Sequence, residues 1–174
     1  ILAIQVLTSK GTNAPTRLCE LINVLTTSTG MPYGICSGQG WESEKTIDLS
    51  SYHKLKTASL FVAATKMGAI SAGEDPEPWA ELGQRIGEAF QVADDLKDFS
   101  DSQKSGKSNN RDKENERPNA VLKLGEQGAI KRLQDILAGA IASIPSCPGE
   151  VELIKIVRSQ AERLTPVEPL QKTL

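Results

Sequence analysis

Cysteine and histidine are scarce in this chain of 174 residues, which contains three cysteines and one histidine. Cys19, Cys36 and Cys147 are odd in number, far apart and outside any metal-ligand spacing. They predict neither a disulfide framework nor a zinc site, and they favour a reduced cytoplasmic protein with buried thiols over a secreted one. The single histidine, His53, has no readable Ser, Cys or Asp partner, so it is not predicted to be a catalytic base.

Basic charge and long hydrophobic runs are also missing. The formal net charge of −2 argues against nucleic acid as a partner. The apolar residues 1–7 are too few to span a bilayer and lack the basic flank of a signal peptide, so no membrane span is predicted. Residues 1–7 are instead predicted to form part of a buried helix. Because the chain begins there without a methionine, we expect further sequence upstream.

Sustained polar and apolar alternation, which a half-buried strand requires, is absent as well. Helical periodicity dominates, so we predict an all-α protein. With 39% hydrophobic residues the chain is long enough for one domain with a real core. The predicted helices cover residues 1–9, 15–44 with a disturbance near Gly30 and Pro32, 49–72, 78–99, 125–143 and 149–164.

Three carboxylates share one face of the helix predicted over 78–99. Gln91, Asp94, Asp95 and Asp98 follow the i, i+3, i+4, i+7 pattern. The opposite face is apolar and consists of Leu82, Ile86, Ala89, Ala93 and Leu96. Crowded carboxylates repel one another unless a cation lies among them, and carboxylate oxygens with room for water suit Mg²⁺. The alternative interpretation is an ordinary solvated helix face.

Glycines continue the acidic face towards the N-terminus of the same helix, at Gly83 and Gly87. Each glycine costs about 1 kcal/mol relative to alanine inside a helix, so the pair predicts close approach by another backbone or by a ligand. The acidic face is therefore expected to overlook a cleft. Gly30, Gly34 and Gly38 fall on one line of the helix predicted over 15–44 and indicate tight helix packing.

Lys56 and Thr57 stand immediately before the apolar run at 58–64. If a helix begins there, an ammonium, a hydroxyl and free backbone N–H groups would together suit a phosphate. The dipeptide is common, so by itself it is a weak signal.

Residues 100–119 are almost entirely polar and begin two positions after Asp98. Such a composition is typical of a mobile loop or linker. The same segment brings Lys107 and Arg117 close to the carboxylates in sequence, where cations could face a bound polyanion. The sequence is thus compatible with two interpretations of this segment, a linker and a mobile active-site loop.

In chain order these pieces resemble the trans-polyprenyl diphosphate synthases. The motifs are Gly38-Gln39 with Glu42, Tyr52 with Lys56-Thr57, FQVADDLKD at 90–98, Gly106-Lys107 and Arg117-Pro118-Asn119. They cover almost the whole chain and look most like those of bacterial members that make geranylgeranyl diphosphate for carotenoid and bacteriochlorophyll pathways. The resemblance implies an isoprenoid-synthase-type helical bundle around a deep central cavity, with its N-terminal helices absent from this chain, and usually a homodimer.

The resemblance also implies a reaction in which an allylic diphosphate is elongated with isopentenyl diphosphate. The implied catalytic residues are Lys56, Thr57, Gln91, Asp94, Asp95 and Asp98, with the three aspartates as Mg²⁺ ligands. The implied substrate-binding residues are Gln39, Lys56, Thr57, Phe90, Gln91, Lys107 and Arg117. Mg²⁺ would neutralise the leaving diphosphate, which the family also uses as its base.

The chain departs from the family pattern in three respects. Glu42 stands where the family generally has Asp, and Arg117 stands where it has a lysine. Both changes keep the charge of the side chain but alter its length and hydrogen-bond geometry. The third departure is larger. The family's other aspartate-rich motif and its upstream Gly-Gly-Lys segment have no counterpart, so the chain alone looks incomplete and does not disclose its product length.

Two further interpretations compete with an elongating synthase. A non-catalytic subunit or truncated paralogue would bind a catalytic synthase through the glycine-rich helix, yet it would have no need for three crowded carboxylates. A terpene cyclase would also use Mg²⁺ and a diphosphate, but Lys56-Thr57 and Phe90-Gln91 favour elongation over cyclisation.

Overall fold

The computed structural model describes residues 1–9, 14–41, 44, 54–105 and 119–164, and every regular element in these ranges is helical. The α-helices are α1 (Leu2–Ser9), α2 (Pro15–Thr29), α3 (Ile35–Trp41), α4 (Ser59–Ala72), α5 (Ala80–Ser105), α6 (Ala120–Ala142) and α7 (Glu150–Leu164). A π-helical turn at Lys54–Ala58 precedes α4, and a 3-10 turn at Glu77–Trp79 precedes α5. The all-α prediction is confirmed.

Helix α5 lies at the centre and packs against α4 and α6. Its predicted apolar stripe is the face buried in the core, because Leu82, Ala89 and Leu96 are almost fully covered. The larger core cluster joins α5 to α6 and consists of Ala89, Val92, Ala93, Leu96, Val121, Ala129, Leu133, Ile136 and Leu137. A second cluster of Leu82, Ala140 and Val157 adds α7 at the far end of the same pair.

The end of the π turn and helix α4 cross α5 at the two glycines that the sequence singled out. A Cβ built on Gly83 would lie 2.6 Å from Val62 Cα, and one built on Gly87 would lie 2.8 Å from Ala58 Cα. These distances are too short for any side chain, so the predicted close approach by another backbone is confirmed. At this level of α5 the glycine face is covered by α4 rather than by a ligand.

The helix predicted over 15–44 is two helices, α2 and α3. The chain is interrupted between Thr29 and Ile35, since Pro32 cannot continue a helix, and the Met31–Pro32 peptide bond is cis. Gly30 and Gly34 lie in this interruption, so the prediction that three glycines line one helix is wrong.

The boundaries around the polar segment also differ from expectation. Helix α5 continues through Ser105, so the loop predicted over 100–119 is wrong at its start. Helix α6 begins at Ala120 rather than at 125, because the side chain of Asn119 caps it, and Gly125 (φ 72°) is a kink inside the helix. Residues 106–118 lie outside the described residues.

Two expectations about burial are wrong. Helix α1 packs against α2 but has no buried residue, and Ile1 and Leu2 are largely exposed. Cys19 and Cys36 are exposed and only Cys147 is partly covered. Cys19 lies on α2, where Leu21 is the buried residue. Among the helices in the described ranges, none combines the length and apolar character needed to cross a membrane.

Candidate active site

Lys56 and Thr57 lie inside the π-helical turn at Lys54–Ala58. Ala58 has helical dihedral angles (φ −70°, ψ −27°), so the turn continues directly into α4. Lys56 and Thr57 therefore belong to a helical segment that runs from Lys54 into α4, and α4 itself begins at Ser59. Single π turns inside helices are frequent at functional sites because they displace side chains from the regular helical positions.

Helix α3 rests on the backbone of this turn through Gly38. A Cβ on Gly38 would lie 2.7 Å from the backbone nitrogen of Lys56 and 2.8 Å from its Cα, so only glycine fits. Gln39 is the next residue and is exposed. The structure thus brings the predicted Gly38-Gln39 and Lys56-Thr57 motifs together, whereas Glu42 lies outside the described residues.

A chain of hydrogen bonds connects the π turn to α5. The hydroxyl of Thr57 donates to Oε1 of Gln91 at 3.1 Å, and Nε2 of Gln91 donates to Oδ1 of Asp95 at 3.4 Å. All three side chains are partly buried. Three of the predicted catalytic residues are therefore in direct contact.

The outer edge of this arrangement is formed by exposed side chains of α5. Asp94 and Asp98 are exposed and stand one helical turn apart. Phe90 is 45% exposed and contacts Phe61 of α4, with 5.5 Å between ring centroids. The site thus presents carboxylates and an aromatic ring side by side.

Asp95 binds a second helix. Its Oδ2 accepts a hydrogen bond of 2.7 Å from the backbone N–H of Ala120, the first residue of α6. Asn119 caps the same helix, since its Oδ1 accepts from the N–H groups of Val121 and Leu122 at 2.9 and 3.1 Å. Sequence reasoning missed this helix start, although an asparagine immediately before an apolar run is a recognisable N-cap signal.

The donor atoms of Asp94 and Asp98 fit Mg²⁺, which takes one or two carboxylates and completes its octahedron with water and phosphate oxygens. Within the ranges that the structure describes, no group of three His, Cys, Asp or Glu side chains could hold a metal ion. That all three aspartates are metal ligands therefore stays a prediction. Lys107 and Arg117 also fall outside the described residues.

Comparison with known proteins identifies the family. Residues 1–155 match the polyprenyl synthetase family. The chain belongs to this family.

Its polyprenyl synthetase relatives include two bacterial proteins named geranylgeranyl diphosphate synthase. The one from Cereibacter sphaeroides is 55% identical over 169 residues, which cover 97% of this chain and 59% of the relative. The one from Rhodobacter capsulatus is 52% identical over 164 residues, which cover 94% of this chain and 57% of the relative. The chain thus spans slightly less than three fifths of the length of these curated relatives.

Solved structures share the fold of this polyprenyl synthetase chain. The geranyltransferase of Helicobacter pylori, complexed with magnesium and isoprenyl diphosphate, matches with a TM-score of 0.71 and 24% identity over 93% of this chain and 57% of that chain. A FPP/GFPP synthase from Zymomonas mobilis matches with a TM-score of 0.71 and 26% identity over 94% of this chain and 56% of that chain. The helical arrangement is therefore that of an isoprenyl synthase.

Proposed function

We propose that this member of the polyprenyl synthetase family is a prenyltransferase that forms geranylgeranyl diphosphate from isopentenyl diphosphate and an allylic diphosphate. The observation that carries the proposal is the 55% identity, over 97% of this chain, with a relative named for that product. The contact between Thr57, Gln91 and Asp95 supports it, because residues of two separate motifs of the family meet at one place.

In this proposal, Asp94 and Asp98 hold Mg²⁺ through their exposed carboxylates. The bound metal would neutralise the oxygens of the allylic diphosphate as it leaves. Lys56 would bind the same diphosphate from the π turn, and Lys107 and Arg117 would contribute further positive charge. Asp94 and Asp98 lie on a long helix that is anchored by the core, so their Cα atoms are held one helical turn apart.

The reaction requires the chain mainly to position the two substrates. The bond between C1 of the allylic substrate and its diphosphate oxygen breaks, and the double bond of isopentenyl diphosphate forms the new carbon–carbon bond. The proton that is then lost passes to the departing diphosphate. Thr57 and Gln91 would face the allylic cation with polar oxygen atoms, and Gln39 and Phe90 would line the substrate site.

Gly38 packs against its own chain, which disfavours the alternative of a non-catalytic subunit. That alternative needs the glycine-rich helix to receive a partner, but the space beside Gly38 is filled by the backbone of Lys56 in the same chain. Gly34 likewise packs against Ser28 and Gly30 of its own chain.

We further propose that the protein acts as a cytoplasmic homodimer. The family resemblance supports the dimer, and the exposed free thiols of Cys19 and Cys36 suit a reducing compartment. Light scattering at several protein concentrations would test the dimer, and a purely monomeric mass would contradict it.

The metal ligands provide the test of the proposed function. In an enzyme of the relatives' full length that contains these residues, Asp94→Ala or Asp98→Ala should abolish incorporation of isopentenyl diphosphate into farnesyl diphosphate. Helicity and melting temperature should stay nearly unchanged, because the acidic face lies opposite the buried stripe. Asp135→Ala is the matched control, since Asp135 is an exposed aspartate of α6 that pairs only with the nearby Lys131 in the contacts described. If either site variant kept activity within about tenfold of the parent, a loss of less than about 1.4 kcal/mol, the assignment of the metal ligands would be wrong.

A further inference from the structure

Asp95 uses both of its carboxylate oxygens within the protein. Oδ2 accepts the N–H of Ala120 at 2.7 Å, and Oδ1 accepts the amide of Gln91 at 3.4 Å. The side chain is partly buried, whereas Asp94 and Asp98 are exposed. The three carboxylates of this face therefore stand in two different environments.

The bond to Ala120 is of a strong kind. The first N–H groups of a helix have no partner within the helix, and a carboxylate beside them gains from the positive end of the helix dipole. Asn119 satisfies the N–H groups of Val121 and Leu122, and Asp95 reaches across from α5 to satisfy the N–H of Ala120. A short charge-assisted bond between two helices fixes their relative position at this point.

The same carboxylate orients Gln91. Because a carboxylate accepts and does not donate, the NH₂ group of Gln91 must face Asp95, which leaves Oε1 to accept from Thr57. The position of α6 is thus linked to the orientation of two residues of the proposed site.

From these contacts we infer that Asp95 is a positioning residue, which ties the first turn of α6 to the acidic face and orients Gln91, while Asp94 and Asp98 serve as the metal ligands. The inference rests on the proposed function and divides its three aspartates into two roles.

Amide hydrogen exchange of the protein without metal or substrate tests the anchor independently of activity. In Asp95→Ala the N–H of Ala120 loses its acceptor, so exchange at the start of α6 should become at least about tenfold faster. Asp95→Asn keeps a carbonyl oxygen for Ala120 and should preserve most of the protection. Asp94→Asn should leave exchange there unchanged. Exchange as slow in Asp95→Ala as in the parent would overturn the inference.

The Mg²⁺ requirement of the enzyme separates positioning from metal binding. Asp95→Asn should lower kcat, because Gln91 must turn its amide, but the Mg²⁺ concentration for half-maximal activity should stay within about twofold of the parent. Asp94→Asn should raise that concentration by about tenfold or more. An equal rise in both variants would make Asp95 a metal ligand and overturn the inference.

The two readouts also keep this inference distinct from the proposed function. If Asp94→Asn changed neither activity nor the Mg²⁺ requirement, the proposed function would fail. The exchange experiment would still decide whether Asp95 anchors α6.

Discussion

Gln91 links two parts of the proposed site because a side-chain amide can accept and donate at the same time. It accepts from Thr57 in the π turn and donates to Asp95 one helical turn further along α5. Both of its polar atoms are engaged in a partly buried setting, where an unpaired polar atom is costly. The orientation of each residue in this chain of contacts therefore depends on the next.

Removing the hydroxyl of Thr57 tests this dependence at the scale of one residue. Thr57→Val keeps the shape of the side chain but leaves Oε1 of Gln91 without its donor, so we expect kcat to fall by about tenfold to a hundredfold. Thr57→Ser retains the hydroxyl and should stay within about threefold of the parent. Steady-state kinetics with both substrates measures the effect, and equal kcat values for the two variants would show that the hydroxyl is not needed.

At the scale of the helices, α5 has two different halves. Its N-terminal half lies against α4 with no room for side chains at Gly83 and Gly87. Its C-terminal half carries the carboxylates and extends to Ser105. The close crossing at the glycines brings Thr57, which precedes α4, within reach of Gln91.

A pair of glycine substitutions tests the crossing. In Gly83→Ala the new Cβ would meet the backbone of α4 at Val62 Cα and at the carbonyl oxygen of Phe61, 2.6 and 2.7 Å away. Neither helix can yield without moving its backbone, so we expect a loss of about 1–3 kcal/mol in the free energy of unfolding.

The control for this crossing is Gly68→Ala within α4. A Cβ on Gly68 would have no neighbour within 4 Å, so the substitution should stabilise the protein by about 0.5–1 kcal/mol through helix propensity. Denaturant unfolding of both variants provides the comparison, and stabilisation by Gly83→Ala would contradict the observed crossing.

At the scale of the whole molecule, the core joins α5 and α6 along most of their shared length. The larger cluster lies beside the carboxylate end of α5, and the smaller cluster adds Val157 of α7 at the other end. Leu133 is fully buried in the larger cluster and Leu82 is almost fully buried in the smaller one. The helix that presents the site is therefore held by the same packing that holds the described fold together.

Truncating a core leucine tests that link. Leu133→Ala should lower the free energy of unfolding by about 2–5 kcal/mol, because it removes buried contacts and leaves a cavity between α5 and α6. Leu122→Ala lies on the same helix at a position that is 47% exposed, so it should cost less than about 1 kcal/mol. Denaturant unfolding measures both, and similar losses would contradict the placement of Leu133 in the core.

The shared face of Gln91, Asp94, Asp95 and Asp98, the opposite apolar stripe and the all-α class could be predicted because helical periodicity is a local property of the chain. The ordered motifs also predicted the family. The same reasoning misplaced the start of α6 and missed the role of Asn119, because it weighed the polar composition of 100–119 over a single capping residue. It also read α1 as buried, since an apolar run does not specify what will cover it.

The sequence by itself determined which residues share a helical face, where prolines interrupt the helices and which family motifs occur, since these depend on neighbours in the chain. Only the tertiary structure decided what each of those residues touches. Asp95 and Ala120 are 25 positions apart, and Thr57 and Gln91 are 34 apart. Contacts over such separations arise from the packing of whole helices, and that packing distinguishes the carboxylate that holds α6 from the two that remain exposed.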